Sequence, residues 1–258
     1  DEIVLKVFNI GNNLGMQPKA IKSSLDFCVD EMKELYEEKG ITDIDVQIPM
    51  DVEGAEVLLV VPSADFFASP HIESLLGYAK VFHQAGISWT LSSYASEAGN
   101  FGMFNGSYDG MKKVASRIGQ AVRDLKVKRL VIGECGHAYR IAYNFWNTLI
   151  GPFDTLDPKY PAPQHICEFT YDLIKRGALR LDKSANDEFV VTYHDSCNVA
   201  RATRMGNMPG GQFEIPRAII KACCNKFVDM PQETIRENTF CCGGGAGLLT
   251  DEMLEIRV

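Results

Sequence analysis

The sequence predicts an α/β fold: two lobes related by pseudo-twofold symmetry, each with short parallel strands flanked by helices. Three observations carry this. Continuous apolar runs such as Val57-Leu58-Leu59-Val60-Val61, stopped by Pro62, read as strands buried on both faces. Such runs alternate with stretches of helical period, the pattern of parallel strands joined by helices. The unit also repeats weakly, because residues 57–61 followed by Pro62-Ser63-Ala64-Asp65 echo residues 189–193 followed by His194-Asp195-Ser196-Cys197.

Bulk properties narrow the function classes. At 258 residues the chain can bury a sizeable core, and 46% hydrophobic with 23% charged residues is ordinary for a globular protein. A net charge of −8 argues against a nucleic-acid partner and disfavours adsorption to anionic lipid. No apolar run approaches the roughly 20 residues that span a bilayer, and no signal peptide is visible. A chain that starts at Asp1 reads as part of a longer protein. The eight cysteines include two adjacent pairs, but no C-x-x-C occurs. A long acidic chain of this kind suits a cytoplasmic protein with reduced or metal-bound thiols better than a disulfide scaffold, and the missing C-x-x-C argues against zinc.

The elements follow in order. Residues 1–17 end in the loop Gly11-Asn12-Asn13-Leu14-Gly15. Pro18 suits the first turn of a helix on which Ile21, Leu25, Cys28, Met32 and Leu35 form one apolar stripe, and Gly40 stops it. Cys28 reads as a small buried hydrophobe. Residues 71–86 are predicted helical, 87–91 a strand, and 107–126 an amphipathic helix. Residues 129–133 form a third strand, with Glu134-Cys135-Gly136-His137 on the loop behind it. That carboxyl edge is where open parallel sheets bind ligands. The proline-rich residues 153–164 connect a first lobe, 1–152, to a second, 153–258. There, 165–176 are predicted helical with Cys167 as packing, 189–193 a strand feeding Cys197, and 205–212 a glycine-containing loop. Pro216-Arg217 opens a helix through about Ala222, 227–230 is a short strand, and 248–256 is helical.

The chemistry concentrates in Phe240-Cys241-Cys242-Gly243-Gly244-Gly245-Ala246-Gly247. Two adjacent thiols followed by glycines pack poorly, yet suit a bulky sulfur-loving ligand. Glycines such as Gly243 and Gly244 accept positive φ and let such a ligand approach the main chain, and the exposed N–H groups favour its negative charge. With Cys197 behind an apolar strand, the reading is that Cys197, Cys241 and Cys242 hold an iron–sulfur cluster. Cys223-Cys224 sits at the end of a helix, not on a glycine turn, and reads as packing. Cys135, beside Gly136 and His137, reads as a candidate redox thiol, because an adjacent imidazolium lowers a thiol pKa. His194 and Asp195 are placed to orient the ligand loop. Arg140, Arg201 and Arg217 are placed to balance a thiolate-rich site or to form structural ion pairs.

These residues carry a family resemblance. Tyr193-His194-Asp195-Ser196-Cys197, Arg201, Pro216-Arg217, Glu237-Asn238 and Cys241-Cys242-Gly243-Gly244-Gly245 together resemble the cysteine-rich CCG domain of heterodisulfide reductases and of iron–sulfur subunits in glycolate and lactate oxidation. Residues 89–94, 97–102 and 133–137 resemble the first half of DsrK-type subunits, the heterodisulfide-reductase-like component of DsrMKJOP membrane complexes. The resemblance implies a noncubane [4Fe-4S] cluster on Cys197, Cys241 and Cys242, with further cysteines expected beyond Val258. It implies electrons arriving from a quinol pool through membrane-bound cytochrome b-type subunits. It implies a reaction that reduces or forms a sulfur–sulfur bond in a small thiol carrier such as DsrC; the position of Cys135 and His137 on the loop after the strand at 129–133 makes them the candidate catalytic residues. It implies a cytoplasmic protein held at the membrane by its partners. In the first lobe Ser92-Ser93 stands where the second has Cys241-Cys242, Ala138 falls where a cysteine is expected, and Asp65 echoes Cys197. That lobe is therefore expected to hold no complete cluster. The alternatives are the iron–sulfur subunit of a glycolate or lactate oxidase, a CoB-CoM heterodisulfide reductase, or a non-catalytic docking subunit.

Overall fold

A computed structural model describes residues 2–38, 40, 46–66, 71–95, 101–203 and 212–243. The predicted helix at 248–256 and the candidate Gly244 lie outside them. The elements run α1 (Glu2–Ile10), α2 (Pro18–Glu38), β1 (Val57–Val60), α3 (His71–Ala85), β2 (Trp89–Thr90), α4 (Phe101–Phe104) and α5 (Tyr108–Asp124). They continue with β3 (Arg129–Ile132), α6 (Gly136–Ile141), α7 (Asn147–Ile150), β4 (Gln164–His165), α8 (Ile166–Lys175), α9 (Cys197–Arg201) and α10 (Glu214–Cys223).

The fold is α/β, as the sequence predicts. Four short strands form one parallel sheet in the order β2-β1-β3-β4. β1 is central, with Val57 opposite both Trp89 and Arg129. Every residue of β1 and β3 is buried, because helices cover both faces. Alternation assigns them to two cores. Leu58, Val60, Leu130 and Ile132 pack with α5 and with Trp146. Val57, Leu59 and Val131 pack with Ile21 and Leu25 of α2, Phe82 of α3 and Phe169 of α8. Each fully buried aliphatic or aromatic side chain stabilises the fold by roughly 1.5–3 kcal/mol. Gly40, Gly86 and Gly177 each have positive φ, as helix stops do.

Three elements depart from the sequence reading. α1 forms ahead of the predicted loop at 11–15, where the sequence reading named no element, and its carbonyl end is held from afar. Arg117 of α5 donates to Val7 O at 2.9 Å and Phe8 O at 2.6 Å. Gly11, at φ +97°, follows because a Cβ there would sit 2.1 Å from Tyr94 O. The predicted loop at 134–137 turns at once into α6, which continues through a π-helical turn, Ala142–Trp146, into α7. Tyr139, Ile141, Ala142 and Trp146 supply its buried face. The predicted strands 189–193 and 227–230 reduce to one parallel bridge, Val191 with Phe227. Phe189 and Val190 are 56% and 69% exposed, so no layer covers that run among the described residues. Arg129, 2% exposed, ties the 153–164 connection to the sheet. It donates to Gln164 Oε1 at 3.1 and 2.8 Å and lies over the rings of Tyr160 and Phe169. No helix among the described residues is long and apolar enough to cross a membrane.

Candidate functional site

The site is built around one aspartate. After the bridge at Val191 the chain reaches Asp195, 1% exposed, and two residues later enters α9 at Cys197. A carboxylate that deep needs donors on both oxygens. Arg217 of α10 donates to Asp195 Oδ1 at 2.8 Å and Oδ2 at 2.7 Å. The same guanidinium donates to Asp229 at 2.7 and 3.0 Å and to Phe213 O at 2.8 Å. Asp195 also grips the segment that leads to the second cysteine loop. Its Oδ2 accepts from Arg236 N at 2.8 Å, and its carbonyl accepts from Thr239 Oγ1 at 2.8 Å. Arg236 takes positive φ, 54°, to make this contact. One buried ion pair thus sets the chain before Cys197 against the chain before Cys241.

The three thiols are neighbours. Burial pushes the Cys197 thiol above its ordinary value, and Cys241 and Cys242 push it further, while Arg201 at the end of α9 acts in the opposite sense. Asn198 Nδ2 lies 3.7 Å from Cys197 Sγ. Cys241 and Cys242 are exposed, and Gly243, at φ +71°, donates its N–H to Cys241 Sγ at 3.4 Å. This donor set fits an iron–sulfur cluster. Sulfur ligands converge from two loops, a main-chain N–H points at one of them, and metal binding would relieve the mutual repulsion of their thiolates. Fewer than four cysteines gather here among the described residues.

Cys135 approaches from β3. α6 packs on α9 through Gly136, where a Cβ would lie 2.8 Å from Ser196 Oγ and 3.1 Å from Val199 Cγ2. Arg140 Nη1 donates to Asn198 Oδ1 at 3.2 Å, and Asn144 Nδ2 donates to Ala202 O at 2.9 Å. Cys135 and Cys197 therefore each stand one residue from the same contact. Cys135 caps α6, its Sγ accepting from Ala138 N at 3.4 Å. Burial and the charge of Arg140 push His137 below its ordinary value, so its ring is neutral at pH 7. It offers a proton acceptor rather than the fixed imidazolium that the sequence suggested beside Cys135. A cleft of about 340 Å³ runs between the two sides, lined by Tyr78, Glu134, Cys167, Tyr193, His194 and Ser196 among others. Burial pushes Cys167 up to about 12, so it remains a thiol.

Other cysteines stay apart from this chemistry. Cys28 is buried on α2. Cys223 and Cys224 end α10, where burial and then Cys224 raise the Cys223 thiol. Ser92 and Ser93 are buried, and Ser93 N donates to Asp51 Oδ1 at 2.9 Å. Sequence reasoning missed Asp229, whose only signal was an acidic residue inside the short run Phe227-Val228-Asp229-Met230.

No protein-family model matches the chain, and no solved structure matches it. Curated relatives do. It is 34% identical over 96% of its length to an Hdr-like menaquinol oxidoreductase iron-sulfur subunit 2 of Archaeoglobus fulgidus, covering 48% of that protein. It is 36% identical over 96% of its length to an Hdr-like menaquinol oxidoreductase iron-sulfur subunit of Archaeoglobus profundus, covering 47%. It is 32% identical over 49% of its length to a dihydromethanophenazine:CoB–CoM heterodisulfide reductase component of Methanosarcina mazei, covering 28%. The chain thus spans about half the length of the two Archaeoglobus relatives. Over nearly all of its own length the chain is similar to Hdr-like menaquinol oxidoreductase iron–sulfur subunits, and over about half of it to a heterodisulfide reductase component.

Proposed function

We propose that this chain is the cluster-bearing part of a subunit that passes electrons between a membrane quinol pool and a sulfur–sulfur bond. The observation that carries this is the convergence of Cys197, Cys241 and Cys242 on loops held together by Asp195. These three cysteines would hold a noncubane [4Fe-4S] cluster, with Gly243 and Gly244 giving it room. Once bound, such a cluster supplies single electrons at an iron able to take a thiolate, which matches one-electron supply to a two-electron disulfide couple.

The chain's own residues do the remaining work. Asp195 and Arg217 fix the distance between the two ligand loops. Cys135 would attack one sulfur of the substrate to form a mixed disulfide while the other half leaves as a thiol, neutral His137 passing the Cys135 proton to it; two electrons and two protons then cleave the mixed disulfide and restore Cys135. Net reduction uses two electrons and two protons: the S–S bond breaks and two S–H bonds form. The substrate would be a disulfide or trisulfide of a small carrier of the DsrC kind. The partners would be cytochrome b-type membrane subunits, holding a DsrK-like protein at the cytoplasmic face. The names of the Archaeoglobus relatives support the quinol link.

The test is iron and acid-labile sulfide per chain in the anaerobically reconstituted protein. Cys197→Ala should lose most of both, and Cys223→Ala should keep them. Equal iron in the two variants would overturn the assignment.

A further inference from the structure

A second group of ligand atoms lies away from the three thiols. Asp65 sits in the 3-10 turn Ser63–Phe66 that follows β1, Glu134 follows β3, and His71 opens α3. All three meet at the carboxyl ends of the two central strands. Their ligand atoms lie within 4.8 Å of one another. His71 Nδ1 is 3.5 Å from Asp65 Oδ1 and 3.6 Å from Glu134 Oε1.

Those spacings decide between two readings. A histidine held directly by two carboxylates would draw them to about 2.7–2.9 Å. Donors sharing a tetrahedral ion with bonds of about 2.0–2.1 Å stand roughly 3.3–3.4 Å apart. The observed separations sit nearer the second. Burial points the same way. The Asp65 side chain is 0% exposed and faces this group. Glu134 Oε2 is buried and accepts no hydrogen bond among the described residues. Two carboxylates, one fully buried, thus converge on a single histidine with their ligand atoms close enough to share one cation.

We propose that Asp65, His71 and Glu134 bind one divalent first-row cation, with zinc(II) the best match. One imidazole and two carboxylates are borderline-to-hard donors, suited to zinc and unsuited to a thiolate-ligated cluster. Three protein ligands leave a coordination position open, and Glu134 also lines the cleft that reaches Ser196. In the sequence echo Asp65 stands where the second half has Cys197, so the first half would have exchanged a sulfur site for an oxygen and nitrogen one. The site stands independently of whether the three cysteines hold a cluster.

Zinc(II) alone, titrated into the metal-free full chain, tests this, with bound metal counted by mass spectrometry after desalting. Thiol-bound zinc is removed from the count by repeating the titration in a Cys197→Ser, Cys241→Ser, Cys242→Ser chain. His71→Gln, a half-exposed position, should lower bound zinc by one per chain in both backgrounds. Asp65→Asn should weaken that zinc at least tenfold. Cobalt(II) in the triple-serine chain should show visible bands without thiolate charge transfer, and His71→Gln should remove them. Zinc stoichiometry unchanged by His71→Gln in the wild-type chain would overturn the proposal, as would a triple-serine chain that retains its helical circular dichroism and binds no zinc.

Discussion

Arg217 and Asp195 form a two-pronged ion pair at 2.8 and 2.7 Å, with each residue 1% exposed. Removing one partner of such a pair strands the other charge, which costs about 3–5 kcal/mol. Arg217→Met should therefore lower the unfolding free energy by about that amount, read from urea midpoints. Because Asp195 also accepts from Arg236 and Thr239, loss of the pair should loosen the Cys241 loop relative to Cys197. Iron retention in Arg217→Met should fall even at low temperature, where the fold persists. Full iron with lowered stability would show the pair to be structural only.

Gly136 is fixed by the α6–α9 contact. Its missing Cβ leaves room for Ser196 Oγ, which would stand 2.8 Å away. Gly136→Ala should cost about 1–3 kcal/mol by overpacking. Ser196→Ala removes the atom nearest the clash, so the double variant should recover part of the loss. Strict additivity of the two changes in a double-mutant cycle would contradict this geometry.

Cys135 should separate chemistry from cluster binding. Its thiol caps α6 and stands one residue from the Ser196 contact. Serine retains the capping role. Cys135→Ser should therefore leave iron content and the absorption spectrum unchanged while turnover with a thiol carrier falls by more than a hundredfold. Loss of iron would make Cys135 a ligand instead, and unchanged turnover would make it a bystander.

Much of this was legible in the chain. The runs at 57–61 and 129–133 announced β1 and β3 because strands covered on both faces are apolar at every position. Glycine stops and the apolar stripe led by Ile21 and Leu25 marked α2 closely. What escaped depends on distant partners. α1 rests on Arg117, more than a hundred residues away, and Phe189-Val190 looked like a strand only because sequence cannot show that no described residue covers it. Cys241 and Cys242 drew attention in the sequence because adjacent cysteines before glycines have few structural uses. The hub beneath them did not, because Asp195, Arg217 and Asp229 are ordinary charges until the fold buries them together.

His165 should set an acid limb in the stability curve. It is 4% exposed, caps α8 by accepting Cys167 N at Nδ1, and packs edge-on against Tyr139. Burial pushes its pKa from 6.5 down to about 4. The folded state therefore binds this proton less readily than the unfolded chain. The contribution is fully present above the unfolded value and is lost as pH falls from 6.5 toward about 4. A shift of that size corresponds to roughly 3 kcal/mol. Glu134 and Glu168, both raised by burial, act in the opposite sense, since their burial penalises the fold as pH rises. They are present in both proteins, so comparison with His165→Asn, which keeps a capping side chain, isolates the histidine. Between pH 7.5 and 4 the wild type should lose roughly 3 kcal/mol more than the variant. Urea midpoints that fall in parallel would show that the ring is not buried as the neutral imidazole.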